Sequence, residues 1–215
     1  MEAVLTDLAQ KIAIPHTAVV VIDMQNDFCS EEGALAKDGR DMTAIRSLVP
    51  RLQQFLDRAR RKNVTIVFVA TARGEEEVPP PMKELWIRHS LKNPICVKGS
   101  WGAEFIPEIQ PKSNETVLIK TRYSAFINTD LDTRLCDLGI ATLIVTGVAT
   151  NVCVETTCRD GFMRGYYIVV ASDLAGCTDQ KLHDCTLFNI DRYFGTVTSS
   201  AEILRIWGGN PTGRR

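Results

Sequence analysis

The 215-residue sequence has no C-x-x-C pair, although it holds seven cysteines, at 29, 96, 136, 153, 158, 177 and 185. An odd, scattered set fits neither a zinc site nor a closed disulfide framework, so free thiols in a reducing cytoplasm are expected. An excess of charge of one sign is also lacking: 25 Lys and Arg oppose 26 Asp and Glu. A net charge of −1 supplies no field for a nucleic-acid backbone or an anionic membrane. Long hydrophobic runs are absent as well. Stretches such as residues 17–24 fall far below the roughly 18–20 residues that span a bilayer. The first residues, where Glu2, Asp7 and Lys11 interrupt the apolar ones, are not expected to form a secretory signal. No G-x-G-x-x-G follows the first apolar run, which continues as Asp23-Met24-Gln25-Asn26-Asp27, and this excludes a dinucleotide site of that type. Repeats, low-complexity tracts and linkers are missing, so one domain over 1–215 is expected, with its core at about 15–205.

What the chain does have is a series of strand-length apolar runs: 18–24, 64–70, 116–120, 142–147, 167–172 and, weaker, 195–199. Their β-branched residues stand on consecutive positions, as in a parallel sheet buried on both faces. Between them, 45–61, 129–138, 152–164 and 180–193 have helical period. In the first of these Leu48, Leu52, Phe55, Leu56 and Ala59 form one stripe, and basic residues crowd the last turn, where the helix dipole favours them. Strand–helix alternation of this kind predicts a three-layer α/β domain. Residues 72–102, with Pro79-Pro80-Pro81, read as one long irregular excursion, and a loop of that length in a compact domain is usually functional or a lid.

In an open parallel sheet, ligands bind beyond the carboxyl ends of the strands. The first strand ends at Asp23, the third at Lys120, and the fourth runs through Gly147-Val148-Ala149-Thr150 to Cys153 at a helix start. Each has an ordinary alternative: an Asp capping a turn, a solvated Lys, a Cys packed as a small hydrophobe. Their convergence on one rim favours chemistry. A thiol at a helix N-terminus near an ammonium has its pKa lowered, and a carboxylate in reach takes its proton.

The segments VVVIDMQNDF, K-x-x-Y-S-A-F-x-x-T-x-L and TGVATNVCVETTCRDGFMRGY resemble the isochorismatase-like cysteine hydrolase superfamily over about residues 15–205. The resemblance implies a Rossmann-like α/β/α sandwich around a six-stranded parallel sheet, with Asp23, Lys120 and Cys153 as the catalytic triad. It also implies a cis Val148–Ala149 peptide, which aims the Ala149 N–H, together with the Cys153 N–H, into an oxyanion hole. The sheet order in such folds is 3-2-1-4-5-6, so Lys120 has to lean back across the rim. No catalytic metal and no cofactor are expected. Nicotinamidases of the superfamily carry Asp-x-His and a second His after the second strand, where this chain reads Thr71-Ala72-Arg73-Gly74-Glu75-Glu76. His16, His89 and His183 are not spaced for that role.

The nearer likeness is to the ureidoacrylate, biuret and triuret hydrolase branch, through 98–101, 122–124, 150–155, 159–162 and 187–190. The resemblance therefore implies an enzyme that hydrolyses a C–N bond of a small ureido or carbamoyl compound, as a homo-oligomer. Other superfamily amidases, for N-carbamoyl amino acids or nicotinamide, and a silent binding module of the same fold are the alternatives. Ureidoacrylate hydrolases tend to have Asn and Trp where this chain has Thr71 and Arg73. Arg73 is read either as a partner for a substrate carboxylate or carbonyl, or as a surface residue. Asn26 and Tyr123 are expected to contact a ureido group, while Phe28, Trp101 and Phe126 either wall the pocket or belong to the core. Thr150 or Asn151 is expected to cap the helix, Arg159 and Asp160 to form a structural ion pair or anchor a loop, and Cys158 to pack. Cys153 is expected to alkylate ahead of the other six cysteines.

Overall fold

A computed structural model describes residues 4–89 and 91–208. Strands β1 (Thr17–Ile22), β2 (Thr65–Thr71), β3 (Thr116–Lys120), β4 (Thr142–Val148), β5 (Tyr167–Gly176) and β6 (Thr196–Thr198) form one sheet. Every pairing is parallel and the order is β3-β2-β1-β4-β5-β6, as expected. All six residues of β1 and all seven of β4 are buried, which is why these runs show no polar alternation.

Side chains alternate across the sheet and feed two cores. Val19 and Val21 face one side, with Ile45, Leu48, Leu52, Phe55, Leu56 and Ala59 of a long helix. Ala18, Val20 and Ile22 face the other, with Leu131, Leu135, Val154, Cys158 and Ile190. Besides two single-turn helices at Leu8–Lys11 and Ala34–Lys37, the helices are α1 (Asn26–Cys29), α2 (Thr43–Arg61), α3 (Pro80–Arg88), α4 (Leu131–Asp137), α5 (Glu155–Met163), α6 (Gln180–Tyr193) and α7 (Ser200–Gly208). The apolar stripe of α2 is buried throughout, and each such side chain contributes roughly 1.5–3 kcal/mol over exposure. Trp207 of α7 stacks on Phe55 at 5.6 Å and donates its indole N–H to the Ile12 carbonyl at 2.8 Å.

One expectation needs correction. The 72–102 excursion is not irregular throughout, because it carries α3. Two prolines occupy the first turn of that helix, where their missing N–H groups cost nothing and their fixed φ suits the helix. An isolated parallel bridge between Arg73 and Val97 ties the two ends of the excursion together.

Candidate active site

Strand register brings the site together. Ile22 pairs with Val69 on one side and Gly147 on the other, and Thr71 pairs with Lys120. The carboxyl ends of β3, β2, β1 and β4 thus share one rim, with Lys120, Thr71, Asp23 and the turn after Val148 along it. Gly147 makes the β1–β4 approach possible. It has φ 103°, and a Cβ there would lie 2.0 Å from the Ile22 carbonyl oxygen. Asp23 itself has φ 51°, a left-handed conformation that Asp tolerates better than most residues. Its N–H donates to the Val69 carbonyl at 2.8 Å and its carbonyl accepts from Gln25 N–H at 2.7 Å.

Lys120 leans back across β2 to reach Asp23. Its Nζ donates to Asp23 Oδ2 at 2.8 Å, to Thr71 Oγ1 at 2.8 Å and to the Arg122 carbonyl at 3.1 Å. An ammonium has three hydrogens, and these three oxygens account for them. Cys153 Sγ is the fourth and longest neighbour, at 3.4 Å. Thr71 completes the bridge by donating its hydroxyl to Asp23 Oδ1 at 3.0 Å. Both charged side chains are fully buried. Burial alone lowers the Lys120 pKa, but the negative charge of Asp23 and the hydrogen bonds to Asp23 and Cys153 outweigh it and hold the group above its ordinary value.

Cys153 belongs to a wide turn, Thr150–Val154, that precedes α5. The Val152 and Val154 N–H groups both reach the Ala149 carbonyl, at 3.0 and 3.2 Å, and the Glu155 N–H reaches the Thr150 carbonyl. The Ala149 carbonyl is therefore served from either side of Cys153 and bypasses the Cys153 N–H, which an ordinary α-helical turn would direct onto it. The peptide between Val148 and Ala149 is cis, as the resemblance implies.

The thiol corrects the expectation of a lowered pKa. Burial and the Asp23 charge push Cys153 up to about 12, against the opposing pull of Lys120. At rest it is a neutral thiol, with Lys120 Nζ 3.4 Å from its sulfur. Preferential alkylation no longer follows, since Cys153 is buried whereas Cys136 and Cys185 are exposed.

Beside this centre, Tyr123 is half-buried. Burial is the largest cause raising its pKa, while Arg73, the Trp86 indole and Lys120 lower it. Arg73 and Trp86 also border a cleft of about 510 Å³ beneath α3. Asp23, Lys120, Tyr123 and Cys153 are not among its walls. Arg73 is buried rather than on the surface. Its guanidinium lies 5.4 Å from the Trp86 ring centroid and touches Met82 Sδ.

The other residues expected to contact substrate have partners within the fold. Phe28 packs against the α2 core, and Phe126 stacks on Tyr166 at 5.8 Å beneath the Arg164 guanidinium, so both rings are engaged in the interior. Asn26 donates its side-chain N–H to the Trp101 carbonyl at 2.8 Å, and its amide is held by the Glu104 carbonyl. Trp101, nearly half exposed, borders a separate groove on the α2 side together with Asn26 and Cys29. Among the described residues no side chain caps the turn at Thr150; its hydroxyl pairs instead with His183 Nδ1 at 2.9 Å. Arg159 pairs with Glu155 at 2.6 Å rather than with Asp160, because residues four apart meet on a helix face. Cys158 is buried in the core, as expected.

Several residues were invisible to sequence reasoning. Thr71 was noticed only as a departure from a pattern, yet it bridges Asp23 and Lys120. Gln25 clamps β2 to the excursion, donating to the Thr71 and Ala103 carbonyls and accepting from the Thr71 N–H at 2.8 Å. Met82 and Trp86 lie in the stretch that reads as an irregular excursion, and His183 has no local signal beyond lying in a helical segment. Among the described residues, no three His, Cys, Asp or Glu side chains converge as metal ligands.

A sequence profile of the isochorismatase domain matches residues 17–202. The chain is 34% identical over 200 residues to the ureidoacrylate amidohydrolase RutB of Enterobacter sp. (strain 638), covering 87% of each chain. Among solved structures, a cysteine hydrolase from Pseudomonas syringae pv. phaseolicola 1448A superposes with TM-score 0.82 at 30% identity, covering 97% of this chain and 99% of that one. An isochorismatase-like hydrolase from Alkaliphilus metalliredigens superposes with TM-score 0.77, also at 30% identity, over 89% and 98%. Fold and comparisons agree that the chain belongs to the isochorismatase family, as an amidohydrolase of carbon–nitrogen bonds other than peptide bonds.

Proposed function

We propose that the chain hydrolyses a C–N bond of a small ureido or carbamoyl compound, using Cys153 as a covalent nucleophile. The observation that carries this reading is the buried contact of Cys153 Sγ with Lys120 Nζ at 3.4 Å, on an ammonium already held by Asp23 at 2.8 Å. The likeness to a ureidoacrylate amidohydrolase supports the ureide class.

The resting thiol is neutral, so its proton leaves only as the substrate carbonyl is attacked. Asp23 receives that proton, and Lys120 keeps the buried charge balanced as the thiolate forms. Sulfur bonds to the carbonyl carbon, and the π electrons move to oxygen. Two N–H groups, of Ala149 and of the bypassed Cys153, receive the oxyanion, an effect typically worth about 3–4 kcal/mol per donor. Asp23 then protonates the departing nitrogen as the C–N bond breaks, leaving an acyl or carbamoyl thioester. Water, deprotonated by the same carboxylate, releases the product and restores the thiol.

The test is ammonia release from ureidoacrylate, biuret and triuret, with mass spectrometry of rapidly quenched protein. Cys153→Ala should abolish turnover, and wild type should carry one acyl or carbamoyl adduct on the peptide containing Cys153. Turnover by Cys153→Ala at the wild-type rate would remove the covalent mechanism, and an absence of turnover with any ureide would remove the substrate class.

A further inference from the structure

We propose that Arg73 receives a carboxylate of the substrate, so that this site takes ureido acids in preference to neutral ureides; this rests on the ureide reading above. Arg73 is the one arginine buried among the described residues, at 6% exposure. Arginines 46, 60, 88, 134, 159, 164 and 205 sit in ion pairs, and those without one among the described residues, such as Arg51 and Arg122, are at least partly open to water. Arg60, for example, grips Glu115 with two parallel bonds, at 2.8 and 3.0 Å. Among the described residues Arg73 has no such carboxylate, and its Nε has no hydrogen-bond partner at all. Its one side-chain contact of this kind is the weak acceptor Met82 Sδ.

A buried guanidinium without a counter-ion is costly, because its hydration is lost and nothing replaces it. Position and backbone hold it there nonetheless. The Arg73 N–H donates to the Cys96 carbonyl at 3.2 Å, and its own carbonyl accepts from the Lys98 N–H at 3.1 Å. The Trp86 ring covers one face of the guanidinium. The cleft it borders also carries Lys83 and Lys92 against a single acidic residue, Glu75. Three cations to one anion around mostly apolar walls favour an anionic ligand. A planar fork with free donors selects a carboxylate over a point-like anion. Arg73 stands two residues beyond Thr71, whose hydroxyl bonds both Asp23 and Lys120. A carboxylate on Arg73 therefore places the rest of a short ligand toward the thiol.

The test compares 3-ureidopropionate with its neutral carboxamide, which has nearly the same shape. Calorimetric titration of the Cys153→Ala protein measures binding without turnover. The acid should bind roughly 10- to 100-fold tighter than the amide, the range of a hydrogen-bonded charge. Arg73→Met should bring the two to parity, and Arg73→Lys should keep part of the preference, since it restores charge without the fork. The acid–amide comparison on Cys153→Ala decides the matter even if Arg73→Met fails to fold. Equal binding, no binding of either compound, or a preference that survives Arg73→Met would overturn the proposal. Ammonia release by wild type separates this from the reading it rests on. Equal hydrolysis of acid and amide would remove the role of Arg73 and leave the ureide hydrolase. Arg73-dependent binding of the acid without hydrolysis of any ureide would do the reverse.

Discussion

Lys120 Nζ lies 2.8 Å from Asp23 Oδ2 with both side chains fully shielded from water, although the two residues are 97 positions apart. A buried ion pair of this kind holds its geometry because neither charge has solvent to return to. Removing one partner leaves the other unpaired. Lys120→Met and Asp23→Leu are each expected to cost about 3–5 kcal/mol in urea unfolding. The double variant should recover much of that stability while remaining inactive. Recovery of ammonia release by the double variant would show that the pair is structural alone.

The Cys153 thiol sets a pH signature. Its folded pKa of about 12 lies above the ordinary 9.0, so the native state keeps a proton that the unfolded chain gives up. Stability from this group is complete below about 9 and is lost as pH rises from there toward 12. Cys153→Ala should flatten the fall by up to about 1.4 kcal/mol per pH unit, measured by denaturation between those limits. At neutral pH, peptide mapping after brief iodoacetamide treatment should find label on the exposed Cys136 and Cys185 first. Faster labelling of Cys153 would contradict the neutral thiol.

Thr71 offers a substitution nearly free of volume change. Thr71→Val removes the hydroxyl that accepts from Lys120 and donates to Asp23. A loss of about 1–3 kcal/mol in stability is expected, with kcat reduced more than KM. Thr71→Ser should restore most of both. Steady-state kinetics and unfolding midpoints on the same preparations provide the check.

His183 braces the turn that carries Cys153 through its Nδ1 contact with Thr150 Oγ1 at 2.9 Å. Burial holds its pKa below 6.5, with Asp184 acting in the opposite direction. The neutral ring therefore contributes stability that is present above 6.5 and is lost as pH falls through the folded value. His183→Leu should lower the thermal midpoint at pH 8 and reduce the loss seen between pH 8 and pH 5. An unchanged pH dependence in that variant would remove this role.

Much of the fold was legible because strand and helix periods are local. The runs at 18–24, 64–70, 116–120 and 142–147 became β1 to β4 with small shifts at the ends. The excursion was read less well. Three consecutive prolines look like a helix breaker, yet two of them occupy the first turn of α3, a distinction that depends on where the helix begins. Phe28 and Phe126 illustrate the same limit. An aromatic near a strand end is compatible with pocket or core, and only the packing partners decide.

By itself, the sequence determined the strand ends and the residue types placed there: Asp23 after β1, Lys120 closing β3 and Cys153 beyond β4. Hydrophobic alternation and backbone preference act over a few residues, so they survive in a linear reading. Tertiary structure decided what those groups became. Register set Thr71 beside Lys120, burial raised the Cys153 thiol instead of lowering it, and folding left Arg73 enclosed without a counter-ion among the described residues. Each of these depends on dielectric and on neighbours distant along the chain, and both are properties of the folded volume.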